Sequence, residues 1–143
     1  MLLAIDIGNT NIVLGLYRSK KLITHWRLAT QAERTADEYG VIITQLVSAA
    51  GFRCEQIAAI VVSCVVPPML TMIQELGQKF FKLDPLIVGP GVKTGMPILY
   101  ESPKDVGADR IVNGIAAYDK YHDSCSIVDF DTATTIDVIS KKG

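Results

Sequence analysis

The chain has 143 residues, which suits one domain or a domain with part of a second. Hydrophobic residues make up 49% and charged residues 20%, a balance that excludes a disordered chain. The net charge of −1 carries neither the basic excess of a nucleic-acid binder nor an acidic tail, so no nucleic-acid partner is expected.

Leu2 to Ile7 reads as a short buried strand, apolar apart from Asp6, and Gly8-Asn9-Thr10 is a turn signal. Asn11 to Tyr17 is a second strand, Arg18 to Lys21 a second turn, and Leu22 to Leu28 continues the meander. Tight turns between the three predict antiparallel pairing. Thr35 followed by Glu38 is a capping box, and Tyr39, Ile42, Ile43, Leu46 and Ala50 recur at helical spacing until Gly51 stops the run. Ile57 to Val62 is a β-branched buried strand. Pro67-Pro68 opens a second helix with Met69, Met72, Ile73, Leu76 and Phe80 on one face. A methionine stripe at that spacing is core sooner than a ligand site.

Leu86 to Val88 is another short strand. Gly89 to Tyr100, with three glycines and two prolines, is a loop of a length that compact domains usually keep for function. Ser102-Pro103 leads into a third helix with Ala108, Ile111, Ile115 and Tyr118 on its apolar face. Ser126 to Phe130 and Ala133 to Ile139 are strands around a turn of small and polar residues. Three meandering strands followed by alternating helix and strand predict an α/β fold: a mixed sheet with helices on its faces.

Cys54, Cys64 and Cys125 form no C-x-x-C pair, and an odd number in apolar surroundings reads as buried thiols in a reducing compartment. Asp6 interrupts the apolar N-terminus and no basic leader precedes it, so no signal peptide is expected. No apolar run approaches the ~20 residues that span a bilayer. No membrane partner and a cytoplasmic location are the expectations.

Three motifs carry chemistry. In Asp6-Ile7-Gly8-Asn9-Thr10-Asn11 a carboxylate ends a buried strand and a glycine turn follows. Gly8 lets the backbone approach an anion, and the next three residues offer donors for phosphate oxygens. Asp6 repels phosphate but can hold Mg²⁺ through water. A plain hairpin with polar turn residues has the same pattern. Asp129-Phe130-Asp131-Thr132-Ala133-Thr134-Thr135 repeats the logic, although threonine also favours strands for their own sake. In Gly107-Ala108-Asp109-Arg110 a carboxylate that can take a hydroxyl proton stands beside a guanidinium that can bind a carboxylate through two parallel hydrogen bonds. A solvated ion pair on a helix surface is the alternative there.

Together these residues resemble the type III pantothenate kinases, through D-x-G-N-T at Asp6 to Thr10, G-A-D-R at Gly107 to Arg110 and D-F-x-T-A-T-T at Asp129 to Thr135. The resemblance covers the whole chain. It implies an actin-like (ribonuclease H-like) fold, with an N-terminal ATPase domain at 1–124 and the first hairpin of a second, truncated domain at 125–143. It implies ATP-dependent phosphorylation of pantothenate, the first step of coenzyme A biosynthesis, by a homodimer. Asp6, Ile7, Gly8, Asn9, Thr10, Asn11, Ile12 and Val13 would form the first phosphate loop, and Thr132 would contact ATP. Tyr100, Gly107, Ala108, Asp109 and Arg110 would contact pantothenate, with Asp109 the general base. Mg²⁺ would accompany ATP, held by Asp6 through water, and Asp129 would bind a monovalent cation, K⁺ or NH₄⁺.

Two departures stand out. Asp131 replaces the family's glycine and puts a negative charge where the phosphates would lie, which predicts weaker ATP binding. The family's chains are also roughly twice one domain in length, which predicts a weakly active or inactive chain. The alternative function is a non-catalytic remnant acting as a dimerisation or transcriptional accessory module.

Overall fold

The computed structural model describes residues 1–89, 92–130 and 133–143. It divides into two compact units, Met1–Ile87 and Val88–Gly143.

In the first unit the strands β1 (Leu2–Ile7), β2 (Asn11–Arg18) and β3 (Lys21–Ala29) form the predicted antiparallel meander. The strand β4 (Ala59–Cys64) then pairs parallel to β1, from Leu2↔Ala59 to Ile7↔Cys64. With β5 (Leu86–Val88) at the edge, the strand order is β3-β2-β1-β4-β5. β1 therefore sits in the middle, and the end of the central strand is where its Asp6 falls. The fourth strand starts two residues later than the sequence suggests. Ile57 does not enter the sheet but follows a 3-10 turn at Cys54–Gln56, its side chain in the core.

Alternation decides what is buried. Leu3, Ile5 and Ile7 of β1, Ile12, Leu14 and Leu16 of β2, and Ile60 and Val62 of β4 share one face. The helices α1 (Ala36–Ala49) and α2 (Met69–Leu76) join the same core through Tyr39, Ile43 and Val47, and through Met69, Ile73 and Leu76. Thr35 caps α1 as the capping box predicts: its hydroxyl accepts from Glu38 N–H, and Glu38 accepts from Thr35 N–H at 2.8 Å. At the other end Gly51, with φ +83°, donates to Ser48 O while Phe52 donates to Val47 O, the paired bonds of a glycine stop.

The second helix keeps its predicted face against the core and adds one residue to it. After Leu76 it widens into a π turn over Gly77–Phe81, which moves the frame by one residue, so Phe81 and not Phe80 completes the buried stripe. Phe80, half-buried, still packs on the core and lies against Gly40 of α1, where a Cβ would collide with its ring.

The second unit holds a 3-10 turn at Pro103–Asp105, the helix α3 (Ala108–Tyr121) and an antiparallel hairpin of β6 (Cys125–Phe130) and β7 (Thr134–Ile139). One hairpin face, with Ile127, Asp129, Asp137 and Ile139, is half-buried or buried, and α3 packs on the hairpin. The other face presents Val128, Phe130, Ile136 and Val138, all exposed. No helix among the described residues is long and apolar enough to cross a membrane.

Candidate active site

The first unit holds the turn after β1. Gly8 N–H donates to Asn11 O at 2.9 Å and closes it. Thr30, just past β3, braces it twice: its N–H donates to Thr10 O at 2.9 Å and its hydroxyl donates to Gly8 O at 2.7 Å. The buried Tyr39 hydroxyl in turn accepts from Gln31 N–H at 2.9 Å and fixes the chain beyond Thr30. Three hydrogen bonds hold the turn, two of them from Thr30, which a free hairpin tip lacks.

Asp6 is exposed, between Val13 on one neighbouring strand and Ser63 on the other. Asn9 and Thr10 are exposed at the tip. Ile7 and Ile12 belong to the core, so only their backbone can meet a ligand. Ser63, which the sequence reading passed over, is buried on the same face as Asp6, and its hydroxyl lacks a partner among the described residues. A lone serine in an apolar run gives no signal; only the pairing with Asp6 singles it out. Cys64 beside it has its thiol pKa raised, first by burial and further by the charge of Asp6.

The second unit assembles the G-A-D-R motif with the hairpin. Gly107 caps α3, so Asp109 lies in the first turn, where the helix dipole favours a carboxylate. Its Oδ1 accepts the Arg110 backbone N–H at 2.8 Å, which fixes its orientation. The Arg110 guanidinium turns instead to a distant carboxylate. Its Nε donates to Asp137 Oδ1 at 2.7 Å and its Nη2 donates to the same oxygen. The guanidinium also lies 5.7 Å from the centroid of the Tyr100 ring. The bond to Asp137, ahead of every other influence, raises the Arg110 pKa, and the guanidinium is charged at any working pH. One turn along, Asn113 Nδ2 donates to Asp129 Oδ2 at 2.9 Å.

A cavity of about 280 Å³ opens among the loop Met96–Tyr100, Arg110 and Ile111 of α3, and β7 from Ile136 onward. Gly114 makes room for it: a Cβ there would stand 3.1 Å from Met96 Sδ and 3.2 Å from Ile139 Cδ1. Asp137 and Asn113 went unnoticed in the sequence because nothing local marks them. Asp131 and Thr132, for which a role beside ATP was expected, lie outside the described residues. Among the described residues no group of three or more His, Cys, Asp or Glu is arranged to hold a metal ion.

The fold belongs to the actin-like α/β class. A crystal structure named as an N-acetylglucosamine kinase from Porphyromonas gingivalis aligns with TM-score 0.54 at 12% identity, covering 100% of this chain and 46% of that one. One named as a 2-dehydro-3-deoxygalactonokinase from Sinorhizobium meliloti aligns with TM-score 0.53 at 13% identity, covering 99% and 50%. Residues 2–143 match the family model described as Type III pantothenate kinase, and the chain belongs to that family. Type III pantothenate kinases from Myxococcus xanthus, Syntrophobacter fumaroxidans and Geobacter sulfurreducens are 50%, 54% and 53% identical to it over all 143 residues. The chain spans slightly over half the length of these relatives, 55–56%.

Proposed function

We propose that this chain carries the first phosphate turn and the acceptor site of an enzyme that transfers the γ-phosphoryl group of ATP to a hydroxyl of pantothenate. The observation that carries the reading is Arg110, a charged guanidinium set in the wall of the cavity; Asp109, which precedes it in the chain, is not among the residues that line that cavity. Pantothenate has a carboxylate for Arg110 and a primary hydroxyl for Asp109. Phosphoryl transfer asks little covalent chemistry of a protein; positioning and charge neutralisation do most of it. Asp109 orients the hydroxyl and takes its proton. Its carboxylate is preset by the Arg110 N–H bond. The Gly8–Asn11 turn, braced by Thr30, offers backbone donors to the ATP phosphates, with Asn9 and Thr10 beside them.

The oxygen chemistry of the two remaining carboxylates fits the expected cations. Asp6 is exposed at the edge of the turn and suits Mg²⁺ held through water, a metal that keeps most of its hydration shell and would offset phosphate charge when bound. Asp129, steadied by Asn113, suits a monovalent cation, K⁺ or NH₄⁺. The domain reading, 1–124 with a second domain beginning at 125, is part of the same proposal, as are a cytoplasmic setting and a homodimer. The exposed Val128, Phe130, Ile136 and Val138 support self-association and also favour the second reading, a non-catalytic dimerisation module.

An ADP-release assay tests the proposal, run with and without pantothenate in K⁺, NH₄⁺ and Na⁺. Release that depends on pantothenate and is slowest in Na⁺ is expected. Asp109→Asn should then lower turnover by about 10²-fold or more with folding unchanged. Neither turnover nor calorimetric binding of pantothenate would leave the second reading in place.

A further inference from the structure

Arginine presents its five N–H donors along two edges of a rigid plane, and each edge can hold one carboxylate. In the second unit one edge is already taken. Nε and Nη2 of Arg110 both donate to Oδ1 of Asp137, which reaches it from β7, 27 residues further along the chain. The Tyr100 ring contacts the guanidinium as well. The pair is largely shielded, with the side chains 28% and 15% exposed, and both residues line the cavity.

Such a pairing has two readings. Asp137 can sit where the anionic group of a ligand belongs and compete with it. Or it can hold the arginine still while the other edge, Nη1 with the second hydrogen of Nη2, meets the ligand. The geometry favours the second. Both bonds come from the Nε–Nη2 edge, so Asp137 fixes the plane and leaves Nη1 outside its grip. Tyr100, from a different segment, contacts the same group. A long side chain restrained by two partners has little rotamer freedom left to lose when a ligand arrives.

We propose that Asp137 is a positioning residue for substrate recognition: it holds Arg110 by its Nε–Nη2 edge and presents the remaining edge to the acceptor's carboxylate. This rests on the reading of Arg110 as the group that binds that carboxylate. It also sets the charge of the cavity wall. Arg110 and Asp137 cancel, so a bound carboxylate gains hydrogen bonds from the arginine but also feels a like charge across it. Removing the charge and removing the side chain must therefore have different effects. Asp137→Asn keeps an acceptor oxygen for Nε and loses the repulsion. Asp137→Ala releases the arginine.

Calorimetric titration of pantothenate into the 143-residue chain and into both variants tests the proposal, with a thermal melt of each and a ¹⁵N-edited spectrum of the Arg110 Nε–H. Wild type should bind, and Arg110 Nε–H should be resolved and slow to exchange. Asp137→Asn should bind within about threefold of wild type, while Asp137→Ala should lose about five- to tenfold, the worth of one immobilised side chain. Affinity unchanged or improved in Asp137→Ala would overturn the positioning role and leave Arg110 as the carboxylate group. Equal losses of affinity and melting temperature in both variants would reduce Asp137 to a structural ion pair and overturn the proposal. A wild-type chain that does not bind, with Arg110 Nε–H unmoved by millimolar pantothenate, would instead sink the reading of Arg110 itself and this proposal with it.

Discussion

The two compact units are held together by different forces. Residues 1–87 bury seventeen apolar side chains in one cluster, whereas residues 88–143 bury Ala108, Ile111 and Ile139 among the described residues. In place of a core the second unit has two polar bridges from α3 to the hairpin, Arg110 to Asp137 and Asn113 to Asp129, and its outer hairpin face is apolar and exposed. Fully burying one aliphatic side chain stabilises by about 1.5–3 kcal/mol, while a partly exposed ion pair contributes about 0–1. The stability of this protein should therefore reside in the first unit, and most of its candidate chemistry in the second. A surface that must admit a ligand cannot also be closed by packing.

The sharpest way to break that contrast is a pair of truncations. Leu14→Ala, at a fully buried position, should cost about 2–5 kcal/mol in denaturant unfolding. Val138→Ala, 77% exposed on the hairpin, should stay within about 0.5 kcal/mol. Hydrogen exchange should agree, with β1 and β4 well protected and β6 and β7 exchanging fast, as a two-stranded sheet does. Slow exchange throughout Cys125–Ile139 would show that the hairpin is part of the main cooperative unit.

A smaller effect is expected at the start of α1. Thr35→Ala removes a cap and should cost about 1 kcal/mol. The cap also carries a pH signature. The bond from Thr35 N–H, and then that from its hydroxyl, hold the Glu38 pKa below its ordinary 4.5. A carboxylate with a lowered pKa in the folded state stabilises that state fully above pH 4.5 and loses the contribution as the pH falls through its folded value. The difference between wild type and Glu38→Gln in a series of acid melts should thus shrink as the pH drops below 4.5. A constant difference would mean that the bond does not depend on the charge.

Asn113→Ala should be milder for stability, about 0.5–1.5 kcal/mol for one hydrogen bond. Its informative effect lies elsewhere. If Asn113 steadies Asp129, the variant should need more K⁺ to reach the same activity or thermal stability, and an unchanged K⁺ dependence would separate the two residues. Phe130→Ser, at 81% exposure, should hardly move the stability of a monomer, within about 0.5 kcal/mol. In sedimentation it should weaken self-association if the outer hairpin face is an interface between copies.

Some of the architecture was legible before any coordinates. The capping box at Thr35 and Glu38, the glycine stop at Gly51, the strand from Leu86 to Val88 and the hairpin at the end all follow from short-range patterns, and all are present. The errors fell where a distant partner decides. The fourth strand begins at Ala59 because that residue pairs with Leu2. Phe81 joins the buried stripe because a π turn intervenes, while Phe80 still packs on the core, half-buried, where Gly40 on another helix makes room for its ring.

What the sequence by itself determined is local and chemical: the order of strands and helices, the family motifs, and which residues carry carboxylates, amides and the guanidinium. Propensity, capping and hydrophobic period act over a few residues and survive in any string of letters. What only the tertiary structure decided is which of those groups meet. Asp109 and Arg110 adjoin in sequence, yet the guanidinium bonds Asp137, and Asn113 finds Asp129, because α3 lies across the hairpin. Strand register alternates side chains between faces, so the placement of a charge 27 residues away follows from the pairing of β6 with β7 and from no pattern near Arg110.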